Sequence, residues 1–126
     1  MPLYWTIDSK NGLFTGYGEG HVSLEDAMSL LDALAGARAL AYRKLFDGRS
    51  IRSTMNGEEL LTVCARIRTY HERGPIGAVA MVGTPEQTVS YARLLGALAS
   101  ADRPMKVFTS RRQARNWLDQ QVSQAT

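Results

Sequence analysis

The sequence has little cysteine, the residue whose disulfide bonds stabilise many small exported proteins. Its one cysteine, Cys64, excludes a framework of disulfide bonds. The apolar neighbours Val63 and Ile67 favour a buried structural thiol. A lone thiol suits a reducing compartment, so we expect a cytoplasmic protein.

Long apolar runs are also missing. No stretch reaches the roughly 18 apolar residues that a membrane-spanning helix requires. The N-terminus carries the acidic Asp8 and lacks a basic region before an apolar core, so it does not resemble a signal peptide. We expect neither membrane insertion nor export.

The residue types that build common catalytic sites are sparse. His21 and His71 are the only histidines, and their separation does not suit a metal site with Cys64. No nucleophile elbow, phosphate-binding glycine loop or dinucleotide fingerprint occurs, and we interpret the alternate glycines at 16, 18 and 20 as allowing twist or close packing. We therefore predict no cofactor, no metal and no enzyme activity. An enzyme with a pocket built by loops is the alternative.

The charge is unevenly distributed. The net charge is +3, but residues 1–37 hold five acidic residues and one lysine, so the remainder is clearly basic. An acidic partner would suit this remainder. The arginines are scattered without an aromatic platform or a nucleic-acid-binding motif, so we do not expect a nucleic acid as partner.

The apolar pattern predicts nine elements in the order ββαβαβαβα. Alternation predicts strands, and a spacing of three to four residues predicts helices. The Asn11-Gly12 pair is typical of a tight hairpin turn in which both residues have positive φ. The predicted strands cover 3–8, 13–18, 40–47, 76–82 and 105–109, and the predicted helices follow the caps Ser23, Asn56, Thr84 and Ser110 or Thr109, the first three ending near Gly36, Gly74 and Ala101.

These elements predict an α/β fold. Crossovers between parallel strands are right-handed in nearly all proteins, and this leaves one mixed sheet of about five strands with about four flanking helices. The apolar run 76–82 is typical of a strand covered on both faces. Arg43 and Lys44 lie in the third strand, and we expect their charged ends at the rim of the sheet. We expect a single domain over residues 1–126.

Two stretches carry a resemblance to a known family. RKLFDGR at 43–49 and VFTSRRQARNWL at 107–118, with the element order, resemble the SpoIIAA-like family of the STAS/SEC14 superfamily over about residues 4–118. That family includes bacterial anti-sigma-factor antagonists and cytoplasmic domains of sulfate transporters, and it is similar to lipid-carrying SEC14 domains. The resemblance implies a regulatory or protein-interaction module rather than a catalyst.

The resemblance also points to a phosphorylation site. In the antagonists, a serine at the start of the helix after the third strand is phosphorylated, and its charge switches binding to a partner kinase. Counting from Asp47, this position falls on Ser53. The family serine lies in an Asp-Ser-Ser-Gly setting, whereas this chain has Arg52, Ser53, Thr54 and Met55. Alternatively, Ser53 and Thr54 are ordinary turn residues.

The helix starts predict an anion-receptive edge. In open α/β sheets, ligands bind beyond the carboxyl ends of parallel strands, where helix N-termini offer amide donors and a positive dipole. Nearby arginines would add charge for a phosphate, a carboxylate or a phosphoserine. In the alternative, each cap only completes its own helix and each arginine is solvated or paired. The predicted ligand- or partner-binding residues are Arg49, Ser50, Arg52, Ser53, Thr54, Asn56, Thr84 and Ser110.

The third helix has an apolar arc wider than one core-facing stripe needs. We consider a homodimer interface, an entrance for an apolar ligand, and cover by the final helix with its Trp117. The arc comprises Tyr91, Leu94, Leu95, Ala97 and Leu98.

Three functions remain open at this point. The first is a regulatory module that presents the predicted edge to an unidentified protein partner. The second is a binder or carrier of a small apolar or anionic ligand. The third is an unrecognised enzyme, which would need a concave pocket holding a titratable pair.

Overall fold

A computed structural model of the protein describes residues 2–74, 76–98 and 104–121. One five-stranded sheet has the order β1-β2-β3-β4-β5, with β1 antiparallel to β2 and the other neighbours parallel. The predicted mixed sheet with four helices is confirmed. The elements are β1 Leu3–Asp8, β2 Leu13–His21, α1 Leu24–Gly36, β3 Arg43–Ser53, α2 Gly57–His71, β4 Val79–Val82, α3 Thr88–Leu98, β5 Met105–Phe108 and α4 Arg111–Asp119.

The two faces of the sheet carry different helices. The parallel strands advance in one direction, so three right-handed crossovers place α1, α2 and α3 on the same face. The side chains alternate accordingly: Met81 packs with Cys64 of α2, whereas Val82 packs with Leu118 of α4. Among the described helices, α4 alone therefore covers the opposite face. No helix in the described part of the chain is long and apolar enough to cross a membrane.

Helix starts are the features best predicted by the sequence. Each predicted cap accepts a hydrogen bond from the backbone N–H three residues later. Helix α3 begins one turn later than predicted, because the chain first turns over 85–87. The end predicted for it, Ala101, lies outside the described residues, as does Pro75. The cap contacts are Ser23 from Asp26 at 3.1 Å, Asn56 from Glu59 at 2.9 Å, Thr84 from Gln87 at 3.3 Å and Ser110 from Gln113 at 3.3 Å.

The third strand differs most from its prediction. It was expected over 40–47 with a polar loop after it, but it runs over Arg43–Ser53 and pairs with β2, which also extends to His21. The pairing contains two register shifts, each leaving one extra residue on β3. Such shifts break the two-residue alternation, so the sequence carries no strand signal there. The fourth strand is shorter than predicted, beginning at Val79 instead of residue 76.

The prediction for the charged residues of β3 is wrong for Lys44. This lysine is buried, and its Nζ donates to the carbonyl oxygens of Leu40 and Tyr42 at 2.6 and 2.7 Å. Residues 40–42 form a turn instead of the predicted strand, which leaves those carbonyls available. Arg43 donates to the backbone carbonyls of Leu118 and Asn11. Both side chains thus bind main chain at the amino end of β3.

The first hairpin is confirmed, but its turn is longer than predicted. Among residues 9–12 only Gly12 has positive φ, at 61°. Asn11 instead donates its backbone N–H and its side-chain amide to the carboxylate of Asp8. A side-chain contact therefore closes the turn in place of a second residue with positive φ.

Candidate functional site

A cavity of about 530 Å³ lies between the sheet and the helical layer α1–α3. Its lining is mainly apolar, with Phe46 and Met81 on the sheet, Leu31 on α1, Val63 on α2 and Leu94 on α3. The volume lies within the range of about 300–1,000 Å³ that is typical of small-molecule sites. The first three helices therefore leave room for a ligand between themselves and the sheet.

Glycines in β2 shape the floor of this cavity. A Cβ atom added at Gly16 would lie 2.8 Å from the ring of Phe46, and one at Gly18 would lie 2.7 Å from Cδ1 of Ile51. Phe46 and Ile51 therefore lie against glycine backbone, and both contribute to the lining. For Gly16 and Gly18 these contacts agree with the predicted role in close packing, whereas Gly20 has positive φ and open space around its Cβ position.

Polar side chains line the cavity where it meets solvent, and we call this group the rim. Three follow one another at the end of β3, and three come from the start of α3 and the turn before it. Except for the half-buried Gln87, all are exposed. The rim consists of Arg52, Ser53, Thr54, Glu86, Gln87 and Ser90.

Two rim residues differ in their contacts. Oγ of Ser53 lies 2.7 Å from Nδ1 of His21. Within the described residues, the side chain of Arg52 forms no hydrogen bond or ion pair. The guanidinium of Arg52 is therefore available to a ligand, whereas the hydroxyl of Ser53 already has a neighbour.

Side-chain contacts attach α3 to the sheet beside the rim. Nε2 of Gln87 donates to the Ile51 carbonyl at 3.0 Å, and the Tyr91 hydroxyl donates to the Gly48 carbonyl at 2.7 Å. Both carbonyls belong to the part of β3 that continues beyond its pairing with β4, which ends at Asp47 and Val82. Burial, and then the charge of Asp47, raise the pKa of Tyr91, which keeps its hydroxyl protonated as a donor.

A separate charged cluster lies on the face covered by α4. Asp47 is 2% exposed and accepts hydrogen bonds from Nε and Nη2 of Arg49 at 3.1 and 2.8 Å, while Arg111 lies 3.6 Å away. Burial opposes ionisation of Asp47, but the hydrogen bonds and charge of Arg49 and the charge of Arg111 outweigh it and lower its pKa. Both arginines are thus engaged with one carboxylate.

This architecture is shared with a solved structure. The chain matches a crystal structure of an uncharacterised DUF3478-family protein from Shewanella loihica PV-4, described as having a SpoIIAA-like fold, with a TM-score of 0.66. The match covers 92% of this chain and 93% of the other, at 18% sequence identity. The chain has a SpoIIAA-like fold. In sequence it matches no protein-family model and no curated protein.

The resemblance found in the sequence is confirmed at the level of the fold. At 18% identity, the likeness supports no conclusion about activity or partner. The cavity and its rim are therefore features of this chain, built from its own residues on a SpoIIAA-like sheet.

The SpoIIAA-like sheet divides the predicted anion-receptive edge into two parts. Arg52, Ser53 and Thr54 reach the cavity on one face, whereas Arg49 binds Asp47 on the other. Because β3 continues from Asp47 to Ser53 past the level of Val82, the helix starts are staggered along the edge. Asn56 and Ser110 cap their own helices, Thr84 accepts from Gln87 in the turn before α3, and Ser50 is exposed opposite Glu19.

The apolar arc of α3 contributes to the cavity. Tyr91 and Leu94 pack inward with Met81. The side chains of residues 95, 97 and 98 are not among those that the structure describes. Trp117 packs on Phe108 on the opposite face, so the interpretation that α4 covers α3 is wrong. The homodimer through α3 stays a prediction.

Sequence reasoning missed the cavity itself. The sequence indicated the cavity only indirectly. Gly16 and Gly18 of β2 are separated by a single residue, and α3 has more apolar area than a single core-facing stripe needs. Neither feature shows how far the helices stand from the sheet.

Proposed function

We propose that this SpoIIAA-like protein binds a small apolar or amphipathic ligand in the cavity and does not transform it. The observation that carries the proposal is the cavity of about 530 Å³, apolar inside and polar at its rim. Protein interiors are normally close-packed, so side chains that line a cavity have fewer packing partners than other buried side chains. An apolar ligand would supply those contacts and remove its own surface from water.

The polar groups of the lining support binding more than catalysis. Lys44 holds two main-chain carbonyls, and Gln87 holds the carbonyl of Ile51. These side chains hold the backbone in place, and a ligand in the cavity would contact their surface. Within the described residues, no three His, Cys, Asp or Glu side chains are grouped as metal ligands.

Binding can be tested with a neutral apolar fluorophore such as N-phenyl-1-naphthylamine. Its emission should rise with wild-type protein, because the cavity shields it from water. Ala27 lines the cavity on α1, so Ala27→Phe should weaken fluorophore binding at least about tenfold by filling the space. Ala65 is exposed on α2 and outside the lining, so Ala65→Phe should bind like wild type.

Two results would contradict the proposal. One is that Ala27→Phe binds the fluorophore as tightly as wild type while remaining folded by circular dichroism. The other is that native mass spectrometry and fluorophore titration detect no ligand across alcohols, fatty acids and aromatic hydrocarbons.

The second candidate function is a regulatory module controlled at Ser53. The observation that favours it is that Ser53 is exposed at the end of β3, next to Arg52 and 2.7 Å from the His21 ring. A phosphate there would carry close to two negative charges beside a guanidinium that has no partner among the described residues. The guanidinium of Arg52 would attract a phosphate on Ser53 and hold it at the rim.

Intact-mass analysis of protein from its native host tests this second function. A species heavier by one phosphate, absent from Ser53→Ala but present in Ser50→Ala, would support it. A partner protein captured by wild type should then be lost with Arg52→Glu. Unmodified protein under all growth conditions, with capture insensitive to Arg52→Glu, would reject it.

A further inference from the structure

We infer that the ligand is a single-tailed amphiphile with an anionic head group, held with its head at the rim beside Arg52 and its tail inside the cavity. This inference rests on the proposed function and names the ligand class for the same site. It follows from three features: the charges of the lining, the local structure around Arg52, and the separation of polar rim from apolar interior.

The charges of the lining favour an anion. Among the described lining residues, Arg52 and Lys44 are cationic and Glu86 alone is acidic. Lys44 is buried, so its charge acts through a medium that screens it less than water does. At the rim, a head group meets Arg52 and Glu86, while Lys44 at the amino end of β3 leaves the described lining with a net charge of +1. This net charge favours an anionic ligand over a cationic one.

The register of β3 sets Arg52 apart. Gly20 pairs with Ile51 and His21 pairs with Ser53, so Arg52 is the extra residue at the second register shift. Extra residues of this kind often redirect a side chain next to a functional site. The guanidinium is a planar fork of donors that matches the oxygens of a carboxylate or phosphate.

The division between rim and interior orients the ligand. Arg52 is exposed, whereas Leu31 and Val63, which line the interior, are buried. A head group bound at Arg52 stays partly hydrated, so its charge need not enter an apolar space. The tail then occupies the region between the sheet and the helices α1 and α2.

The experiment compares ligands with one tail and different heads: dodecanoate, dodecyl phosphate, dodecanol and dodecylamine. Each displaces the neutral fluorophore from the wild-type protein, at concentrations below those at which it forms micelles or separates from solution. Because Arg52 is exposed, the anions should bind about two- to fivefold more tightly than dodecanol, and dodecylamine more weakly than dodecanol. Raising the salt concentration should reduce this preference. The tighter of the two anions assigns the head as carboxylate or phosphate.

Three variants locate the effect. Arg52→Gln should abolish the preference for anions and leave the affinity for dodecanol unchanged. Glu86→Gln should strengthen anion binding, because it removes the acidic group of the rim. Arg112→Gln makes the same charge change on α4, on the other face of the sheet, and should behave like wild type.

The outcomes separate the two proposals. If all heads bind equally, or if Arg52→Gln keeps the preference for anions, the inference is wrong while the binding function stands. If none of the four displaces the fluorophore and Ala27→Phe has no effect on it, the binding function is wrong as well.

Discussion

Asp47 is a buried carboxylate whose ionised form is held by Arg49 of its own strand and Arg111 of α4. We expect Asp47→Asn to lower the free energy of unfolding by about 1–3 kcal/mol at neutral pH, because charged hydrogen bonds are lost from a buried site. Urea unfolding measures this change. Asp119→Asn removes an exposed ion pair with Arg115 and should change stability by less than about 0.5 kcal/mol.

The pH dependence gives a second check on Asp47. Its pKa is lowered in the folded state, so its ionised form stabilises the protein above the ordinary pKa of about 3.9. This stabilisation is lost as the pH falls through the lower, folded-state pKa. The difference between wild type and Asp47→Asn should therefore shrink below about pH 4. A constant difference from neutral pH to strong acid would contradict this account.

Two glycines should respond oppositely to alanine. A Cβ at Gly77 would collide with the carbonyl group of Tyr42, so Gly77→Ala should destabilise the protein by about 1–3 kcal/mol. Gly36 has open space around its Cβ position and ends α1, so Gly36→Ala should stabilise by up to about 1 kcal/mol. Thermal unfolding compares them. Equal effects of the two changes would argue against the close approach of residues 42 and 77.

At the scale of elements, α3 depends on side chains for its attachment to β3. Tyr91→Phe removes the donor to the Gly48 carbonyl and should cost about 1 kcal/mol. Amide hydrogen exchange in α3 should then accelerate more than in α1 or α2, because the contact is local. Tyr4→Phe removes an exposed hydrogen bond to Glu19 and serves as the control. Uniform acceleration across all helices would show that Tyr91 supports the whole fold instead.

The elements also show what sequence can predict. Caps such as Asn56 with Glu59 depend on residues three positions apart, and their prediction was correct. The extension of β3 to Ser53 was missed because its register shifts depend on pairing with β2, far away in the sequence. The rim residues Arg52 and Ser53 were predicted as site residues, whereas the cavity they border depends on how three helices stand over the sheet.

At the scale of the whole molecule, strand order explains why one face can hold a cavity. Three crossover helices share one face, and α4 is the one described helix on the other, where Ala80 and Val82 let it pack closely. On the first face, Phe46 and Met81 support helices that do not close the space between them. The small side chains of β4 thus allow close packing of α4, whereas the large Phe46 and Met81 border the open layer.

The volume of the cavity, about 530 Å³, limits how far affinity can grow with tail length. Neutral alcohols from octanol to tetradecanol isolate this effect, because their head group carries no charge. Each two-carbon extension should strengthen binding by at most about 15-fold, at about 0.8 kcal/mol per buried methylene, until the cavity is full. Fluorophore displacement measures the affinities. The thermal unfolding temperature should rise in the same order as the affinities, since a ligand at 100 times its Kd adds about 2.7 kcal/mol of stability.

Ala27→Phe should reach its plateau of affinity at a shorter tail than wild type, because the phenylalanine ring occupies part of the cavity. Affinity independent of tail length would place alcohol binding on the surface and exclude the cavity.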